Sequence, residues 1–186
     1  MKSVVERYYA RRSGDGEGDE GFTLIELLVV LLIIGILLAI AIPTFLSVTK
    51  GANNTAAQSN LQTALTAADT YYTQNNQTYT GINTGIAGVD AGISAVTGAS
   101  NGPHVVSFAE SAGDVLVLAT WSPGTRECWG ILDIKSTLAT GTVLGKSATG
   151  TYYWLAKPSQ SGCSAAAYDT SSVTGVTLNA TSFPAG

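Results

Sequence analysis

At residues 21–42 the chain reads GFTLIELLVVLLIIGILLAIAI, a polar-to-apolar switch followed by a run with a single charged residue. Of the 21 residues after the first glycine, three are not apolar: Thr23, Glu26 and Gly35. At about 1.5 Å per residue, such a run makes a helix of about 31 Å, which matches the hydrocarbon thickness of a bilayer. The run therefore predicts a membrane-length helix that carries a carboxylate near its start.

The glutamate in this run needs a partner. A charged side chain at the centre of a membrane helix costs about 2.5–3.5 kcal/mol on insertion scales, and such residues usually mark a function. If the chain is cut after Gly21, Phe22 gains a free α-amine. Helical i, i+4 spacing then brings Glu26 within one turn of that amine, or of the same amine on a neighbouring chain. We therefore predict that Glu26 pairs with a Phe22 amine.

The junction and the apolar run closely resemble the start of type IV pilin precursors. In that family a membrane-embedded prepilin peptidase cuts after the glycine, the new first residue is N-methylated, and the fifth mature residue is glutamate. The resemblance implies cleavage between Gly21 and Phe22, methylation of Phe22, and assembly through Phe22 and Glu26. It extends to Gly35 and Pro43, which stand where pilins often carry helix-weakening residues. We expect the helix between these two to loosen when subunits pack.

The resemblance implies a structural subunit of a pilus filament rather than an enzyme. Its partners would be further copies of itself in a helical homopolymer, the prepilin peptidase, and the pilus assembly ATPase with its membrane platform. The subunit would be a single-pass membrane precursor first and part of an extracellular filament on the cell surface afterwards. Two related functions stay open: a pseudopilin of a type II-like secretion system, and a minor tip pilin that binds a surface or DNA.

Two other interpretations of the apolar run stay open as well. Ala39-Ile40-Ala41 has the small-x-small spacing of an ordinary secretory cleavage site, which would release an exported domain beginning at Ile42. A plain membrane anchor fits the same length. Neither interpretation explains the glutamate or the switch directly after a glycine, so the sequence favours cleavage after Gly21.

Residues 1–21 form the expected cytoplasmic leader. Four bases precede the apolar run: Lys2, Arg7, Arg11 and Arg12. Because only Lys50 follows the run closely, the positive-inside rule places the N-terminus in the cytoplasm and the C-terminus outside. Residues 15–21 contain four acids and no base, which departs from the simplest family pattern.

The composition favours an exported, self-assembling protein. Only 12% of the residues are charged, and the part after residue 21 keeps five bases and eight acids, a net charge of −3. This composition gives no cluster of basic residues of the kind that binds a nucleic acid. The acids are scattered and there is one histidine, so we predict no catalytic site, no metal and no cofactor.

Helical spacing of apolar residues continues beyond Pro43. The predicted stripe consists of Ala57, Leu61, Ala64, Leu65, Ala68 and Tyr72. The helix should therefore continue from the membrane segment to about residue 76.

Strand-forming runs follow a glycine-rich connection. β-Branched and aromatic residues cluster at 104–108, 115–121, 128–134 and 151–156, and the short gaps between them predict an antiparallel meander. A weaker strand signal lies at 92–96. The connection 135–150 is expected to bulge outward or to hold a sheet edge, and the tail after Pro158 is expected to be irregular.

The predicted fold class is α+β, a long N-terminal helix packed on a four-stranded antiparallel sheet, as in the pilin ladle fold. The predicted domains are the leader at 1–21, the transmembrane and filament-core helix at 22–43, and an extracytoplasmic globular domain at 44–186. The sheet should occupy about 104–157 within that domain.

The chain has two cysteines, Cys128 and Cys163, and both would lie on the oxidising side of the membrane. We predict a disulfide that pins the tail to the sheet, with two buried free thiols as the alternative. Closing this loop would stabilise the domain by about 3–4 kcal/mol.

Overall fold

The computed structural model of the chain describes residues 21–86, 94–139, 141–157, 162–170 and 173–185. The predicted leader, except for Gly21, lies outside these ranges. The chain divides into two compact units, Met1–Thr44 and Phe45–Gly186. One helix, α1 (Leu24–Gln74), belongs to both units.

Helix α1 is 51 residues long. Its sequence is rich in leucine and alanine, which lose little free energy on entering a helix. It ends where Asn76 and Gln77 take left-handed backbone angles, with φ of 52° and 57°. The N–H of Gln77 donates to the carbonyl of Tyr72 at 3.0 Å, which satisfies one of the carbonyls left without a partner at a helix end.

In the Phe45–Gly186 unit, α1 packs on a sheet through the predicted stripe. Ala57, Leu61, Ala64 and Ala68 are fully buried, while Leu65 and Tyr72 pack at the margin of this core. A short helix, α2 (Ile82–Gly85), follows α1, and Ile82 at its start and Ile86 directly after it join the same core. The periodic pattern in the sequence thus identified the buried side of the helix.

The sheet has six strands, which lie side by side in the order of the chain. They are β1 (Ser94–Val96), β2 (Val105–Ser111), β3 (Val115–Ser122), β4 (Glu127–Ile134), β5 (Gly150–Ala156) and β6 (Val176–Asn179). β1 runs parallel to β2, and every later pair is antiparallel. The α+β class and the four predicted strands, now β2 to β5, are confirmed.

The prediction of four strands is wrong in number, because the sheet has one further strand at each edge. β1 falls on the weak signal at 92–96, and β6 lies in the tail that was expected to be irregular. These strands have three and four residues. Such short segments are ordered by pairing with a longer neighbour, a long-range contact that local composition does not encode.

The sheet is buried on both faces. One face, which includes Phe108, packs on α1. The other face, which includes Val117 and Trp154, is covered by the segment around Val143 and by a segment that contains a short 3-10 helix (Ala165–Ala167). The unit therefore has two cores separated by one sheet.

The second core corrects the expectation for residues 135–150. Val143 and Leu144 are only 7% and 5% exposed, so the connection folds over the sheet instead of bulging outward. Leu144 is also held from the tail, because its N–H donates to the carbonyl of Thr170 at 2.8 Å. Glycines in the connection favoured a surface loop, but its few apolar residues find a complementary sheet face.

Candidate functional site

The predicted cleavage junction is accessible. Phe22 is 90% exposed. A Cβ built on Gly21 meets no atom of the described residues within 4 Å. Packing within the described part of the chain therefore gives no reason for glycine at this position, and an enzyme that reads the junction would provide one.

Glu26 and Thr23 form a reciprocal cap at the start of α1. The Oε2 atom of Glu26 accepts hydrogen bonds from the backbone N–H and the hydroxyl of Thr23, both at 2.8 Å. In return, the backbone N–H of Glu26 donates to Oγ1 of Thr23 at 3.3 Å. This is a capping box, in which two helix-end donors are satisfied by the two side chains.

The capping box was missed in the sequence, although its signal is present. The pattern Thr23-x-x-Glu26 directly before an apolar run is the signature of such a cap. The structure also changes the predicted geometry, because Phe22 precedes the helix and does not stand at a helical i, i+4 position relative to Glu26. Pairing of Glu26 with a Phe22 amine concerns the cleaved chain and stays a prediction.

The first part of α1 exposes its apolar side chains on all sides. Every large apolar residue from Phe22 to Val48 is between 45% and 90% exposed. Helix α1 contains an 18-residue window with a mean hydropathy of 3.2, none of it buried, so the helix is long and apolar enough to cross a membrane. An apolar surface of this extent requires a partner outside the folded chain.

Gly35 and Pro43 do not interrupt the helix. α1 continues through both positions, and the hydroxyl of Thr44 donates to the carbonyl of Ile40 at 3.0 Å. Proline lacks the N–H that would bond to the preceding turn, so this stretch has one backbone hydrogen bond fewer than an unbroken helix. Loosening of the segment during packing stays a prediction.

The two cysteines form the predicted disulfide. Cys128 lies on the central strand β4, Cys163 lies in the tail, and their Cα atoms are 5.8 Å apart. Backbone hydrogen bonds in both directions between Ser100 and Cys163, at 2.7 and 3.1 Å, hold the same segment. The disulfide thus fastens the segment that covers the second face of the sheet.

A polar network joins the end of α1 to the sheet. Asp133 on β4 is 2% exposed, and one of its oxygens accepts a hydrogen bond from the phenol of Tyr79 at 2.5 Å. Its other oxygen accepts from the hydroxyl of Thr151 at 2.8 Å. The ammonium of Lys135 lies 3.0 Å from Asp133 and 2.7 Å from Asp69 on α1.

This network sets the protonation of its members. Burial, followed by the hydrogen bond to Asp133, raises the pKa of Tyr79 well above its ordinary value. Burial opposes the charge of Lys135, but the hydrogen bonds to Asp69 and Asp133 outweigh it and raise the pKa of Lys135. The phenol of Tyr79 and the ammonium of Lys135 therefore stay protonated. The network holds the end of α1 to the sheet and supplies no reactive group, and it is called the polar lock below.

In the described ranges, no three His, Cys, Asp or Glu side chains come together in a way that could hold a metal ion. The features that call for an explanation are therefore at the N-terminal end of α1. There the structure places an exposed junction, a capped carboxylate and an apolar surface without a partner.

Comparison with known proteins agrees with this location. The prokaryotic N-terminal methylation motif matches residues 18–42. Over 59 residues the chain is 41% identical to the type IV major pilin protein PilA of Myxococcus xanthus, covering 32% of this chain and 27% of that protein. Over 57 residues it is 46% identical to the type IV wide pilus major component PilA4 of Thermus thermophilus, covering 31% and 44%.

The chain therefore spans less than half the length of either relative in these matches. No solved structure matches it significantly.

A helix that begins with a methylation motif and continues into a domain with its own sheet defines a prepilin-like protein. The motif and the two major pilins show that the chain is similar to type IV pilins, a class of structural proteins. The apolar helix is long and apolar enough to cross a membrane, as expected of a membrane-inserted precursor.

Proposed function

We propose that the chain is the main structural subunit of a type IV pilus, cut after Gly21, methylated on Phe22 and assembled through the apolar part of α1. The observation that carries the proposal is the exposure of every large apolar side chain from Phe22 to Val48. Such a helix is hydrophobic all round, which is expected of a segment that is covered by lipid or by other helices. The prepilin peptidase, the assembly ATPase and the membrane platform are its proposed machinery.

Assembly exchanges one apolar environment for another. In the precursor, lipid chains cover the exposed side chains, and in the filament the helices of neighbouring copies cover one another. Lipid is as apolar as leucine, so helix association in a membrane depends on close packing and polar contacts more than on the hydrophobic effect. Glu26 is the charged residue available for such a contact in the apolar segment.

Cleavage changes what surrounds this carboxylate. Before cleavage, Glu26 accepts its two hydrogen bonds from Thr23. Hydrolysis of the Gly21–Phe22 amide leaves a carboxylate on Gly21 and an amine on Phe22. Because an α-amine has a pKa of about 7.7–8.0, most of these amines are protonated at neutral pH, and methylation preserves the charge.

The cap leaves room for this amine. An ionised carboxylate offers about four acceptor positions, and Thr23 occupies two of them. A Phe22 ammonium, from the same chain or from an incoming copy, can take another. Thr23 thus holds the carboxylate in a fixed orientation, and the ammonium neutralises it.

Two substitutions separate the cap from the charge. Glutamine also serves at this position of a capping box, so Glu26→Gln keeps the helix start and removes the charge, whereas Glu26→Ala removes both. We expect normal cleavage and membrane insertion for Glu26→Gln. Surface filaments should fall at least about tenfold, since an unpaired member of a buried ion pair costs about 3–5 kcal/mol.

The measurements are the processed subunit in membranes and the subunit in sheared surface material, compared for the unaltered chain and both variants. Normal filament yield from Glu26→Gln would reject charge pairing as the basis of assembly. A loss seen only with Glu26→Ala would assign the role of Glu26 to the cap.

A further inference from the structure

The charged residues of the Phe45–Gly186 unit are divided between the two ends of its sheet. One end is the β3–β4 hairpin, where Ser122 pairs with Glu127. The other end is where β3 begins and β4 finishes, with Val115 paired to Ile134. Every charged residue that the structure describes in this unit is near one of these ends, and the two sets differ in sign.

The basic end comprises Lys50, Arg126, Lys157 and a single acid, Glu127, for a net charge of +2. Lys50 of α1 lies against the hairpin, since its Cα is 2.8 Å from a Cβ built on Gly124. The ammonium of Lys157 is 3.5 Å from the buried carboxylate of Glu127. The three cations are exposed, so the end presents positive charge to its surroundings.

The acidic end comprises Asp69, Glu110, Asp114, Asp133 and Asp169 with two bases, Lys135 and Lys146, for a net charge of −3. Asp114 lies directly before Val115, and Lys135 directly after Ile134. Burial and the nearby charge of Glu110 raise the pKa of Asp169, as expected where acids gather. The ammonium of Lys146 lies over the ring of Tyr152, 5.4 Å from its centre.

The two ends are far enough apart to act separately. Strand β4 has eight residues, and at about 3.3 Å per residue they separate the ends by about 23 Å. This exceeds the Debye length of about 10 Å at 0.1 M ionic strength. A partner at one end is therefore influenced mainly by the charge of that end.

We infer that the basic end of one copy docks on the acidic end of another copy in the filament. This inference rests on the proposed function. Contacts that repeat head-to-tail join two different patches of the same chain and build open helical filaments. Copies in a filament point in the same direction, so an axial neighbour presents the opposite end of its sheet.

Charge complementarity favours a second copy over other occupants. A contact between like ends would set two positive or two negative surfaces against each other, which opposes antiparallel pairing. An anionic lipid surface would use the basic end alone and leave the acidic end without a role. A second copy uses both ends and fixes the direction of assembly.

Three charge substitutions in the full chain test this docking. Arg126→Glu reduces the net charge of the basic end from +2 to zero, and Glu110→Lys reduces that of the acidic end from −3 to −1. Glu110 raises the pKa of Asp169 through its charge, so Glu110→Lys relieves a repulsion between acids. The matched control, Lys146→Glu, changes total charge as Arg126→Glu does but makes the acidic end more negative.

We expect Arg126→Glu and Glu110→Lys each to lower the subunit in sheared filaments about two- to fivefold, as loss of an exposed charge contact predicts. Lys146→Glu should equal or exceed the unaltered chain. The amount of processed, disulfide-bonded subunit in the membrane serves as the check on folding. The differences should shrink when filaments are prepared at 0.5 M salt, where screening is stronger.

Unchanged yields for Arg126→Glu and Glu110→Lys would overturn the docking. A loss for Arg126→Glu alone would overturn it too and would assign the basic end to another partner, such as anionic lipid. Equal losses for Arg126→Glu and Lys146→Glu would show an effect of total charge and reject it as well. If the unaltered chain forms no filaments, the proposed function fails first, so the two failures are distinguishable.

Discussion

The two parts of α1 have the same backbone conformation but obtain their stability differently. From Leu24 to Val48 the large apolar side chains are 45–80% exposed, whereas Ala57, Leu61, Ala64 and Ala68 are fully buried. The second part is apolar on one side and packs on its own sheet. The first part is apolar on all sides, and in the proposed function lipid or other copies cover it. The sequence of the first part therefore suits contacts with other molecules, and the sequence of the second part suits packing within its own chain.

The sharpest test of this contrast is one substitution made in each part of the helix. Leu61→Ala should lower the free energy of unfolding by about 2–5 kcal/mol, because it leaves a cavity in a packed core. Leu31, which is 61% exposed, should tolerate Leu31→Ala with little change. Urea unfolding of the detergent-solubilised chain, followed by tryptophan fluorescence, measures this, since all three tryptophans lie in the Phe45–Gly186 unit.

A comparable loss from both substitutions would contradict the contrast, because it would mean that the first part of α1 also packs within the chain. The Leu31→Ala variant should instead show its effect in filaments. There a missing side chain would weaken contacts between copies.

The next effect concerns the segment that covers the second face of the sheet. Replacing both cysteines, as Cys128→Ser and Cys163→Ser, should lower the free energy of unfolding by about 2–4 kcal/mol. Cleavage after Gly21 should not change, since the disulfide lies in the other unit. Urea unfolding and the mass of the processed chain measure these two results. Equal stability of the variant and the unaltered chain would show that the disulfide adds nothing, and that the backbone hydrogen bonds between Ser100 and Cys163 are enough to hold this segment.

The smallest of these effects concerns the polar lock at the end of α1. Tyr79→Phe removes the donor to the buried Asp133 and should lower the free energy of unfolding by about 1–3 kcal/mol. Tyr71→Phe is the matched control. Its hydroxyl donates to the carbonyl of Thr80 at an exposed position, so it should cost less.

The same lock predicts sensitivity to alkaline pH. The pKa of Tyr79 is raised above its ordinary value of 10.0 in the folded chain, so the unfolded chain releases this proton first. The stabilisation from this group is complete below about pH 10 and decreases above it. Unfolding measured from pH 8 to 11 should show this loss in the unaltered chain and a smaller loss in Tyr79→Phe. Parallel pH profiles would contradict the assignment.

Patterns within short stretches of sequence predicted much of the molecule. The stripe from Ala57 to Tyr72 follows from helical periodicity, and the four strands follow from runs of β-branched and aromatic residues. The disulfide follows from two cysteines in an exported context. β6, the second core around Val143 and the lock at Asp133 depend on contacts between distant segments. Local composition carries little information about them.

The candidate site shows the same limit on a smaller scale. The sequence singles out Glu26 because a carboxylate is costly in a membrane helix, and it predicts a helix that includes Phe22. The structure instead begins the helix at Leu24 and uses Thr23 as its cap. The sequence contains the capping pattern Thr23-x-x-Glu26. It can be recognised as a cap only when the first residue of the helix is known.

The central claim is that the first part of α1 becomes the core of a filament after cleavage at Gly21. The most direct measurement is the intact mass of the subunit in sheared surface filaments, before and after reduction. The account predicts an abundant chain that begins at Phe22, carries one added N-methyl group and contains one disulfide. A chain that begins at Ile42, or one that retains residues 1–21, would contradict it.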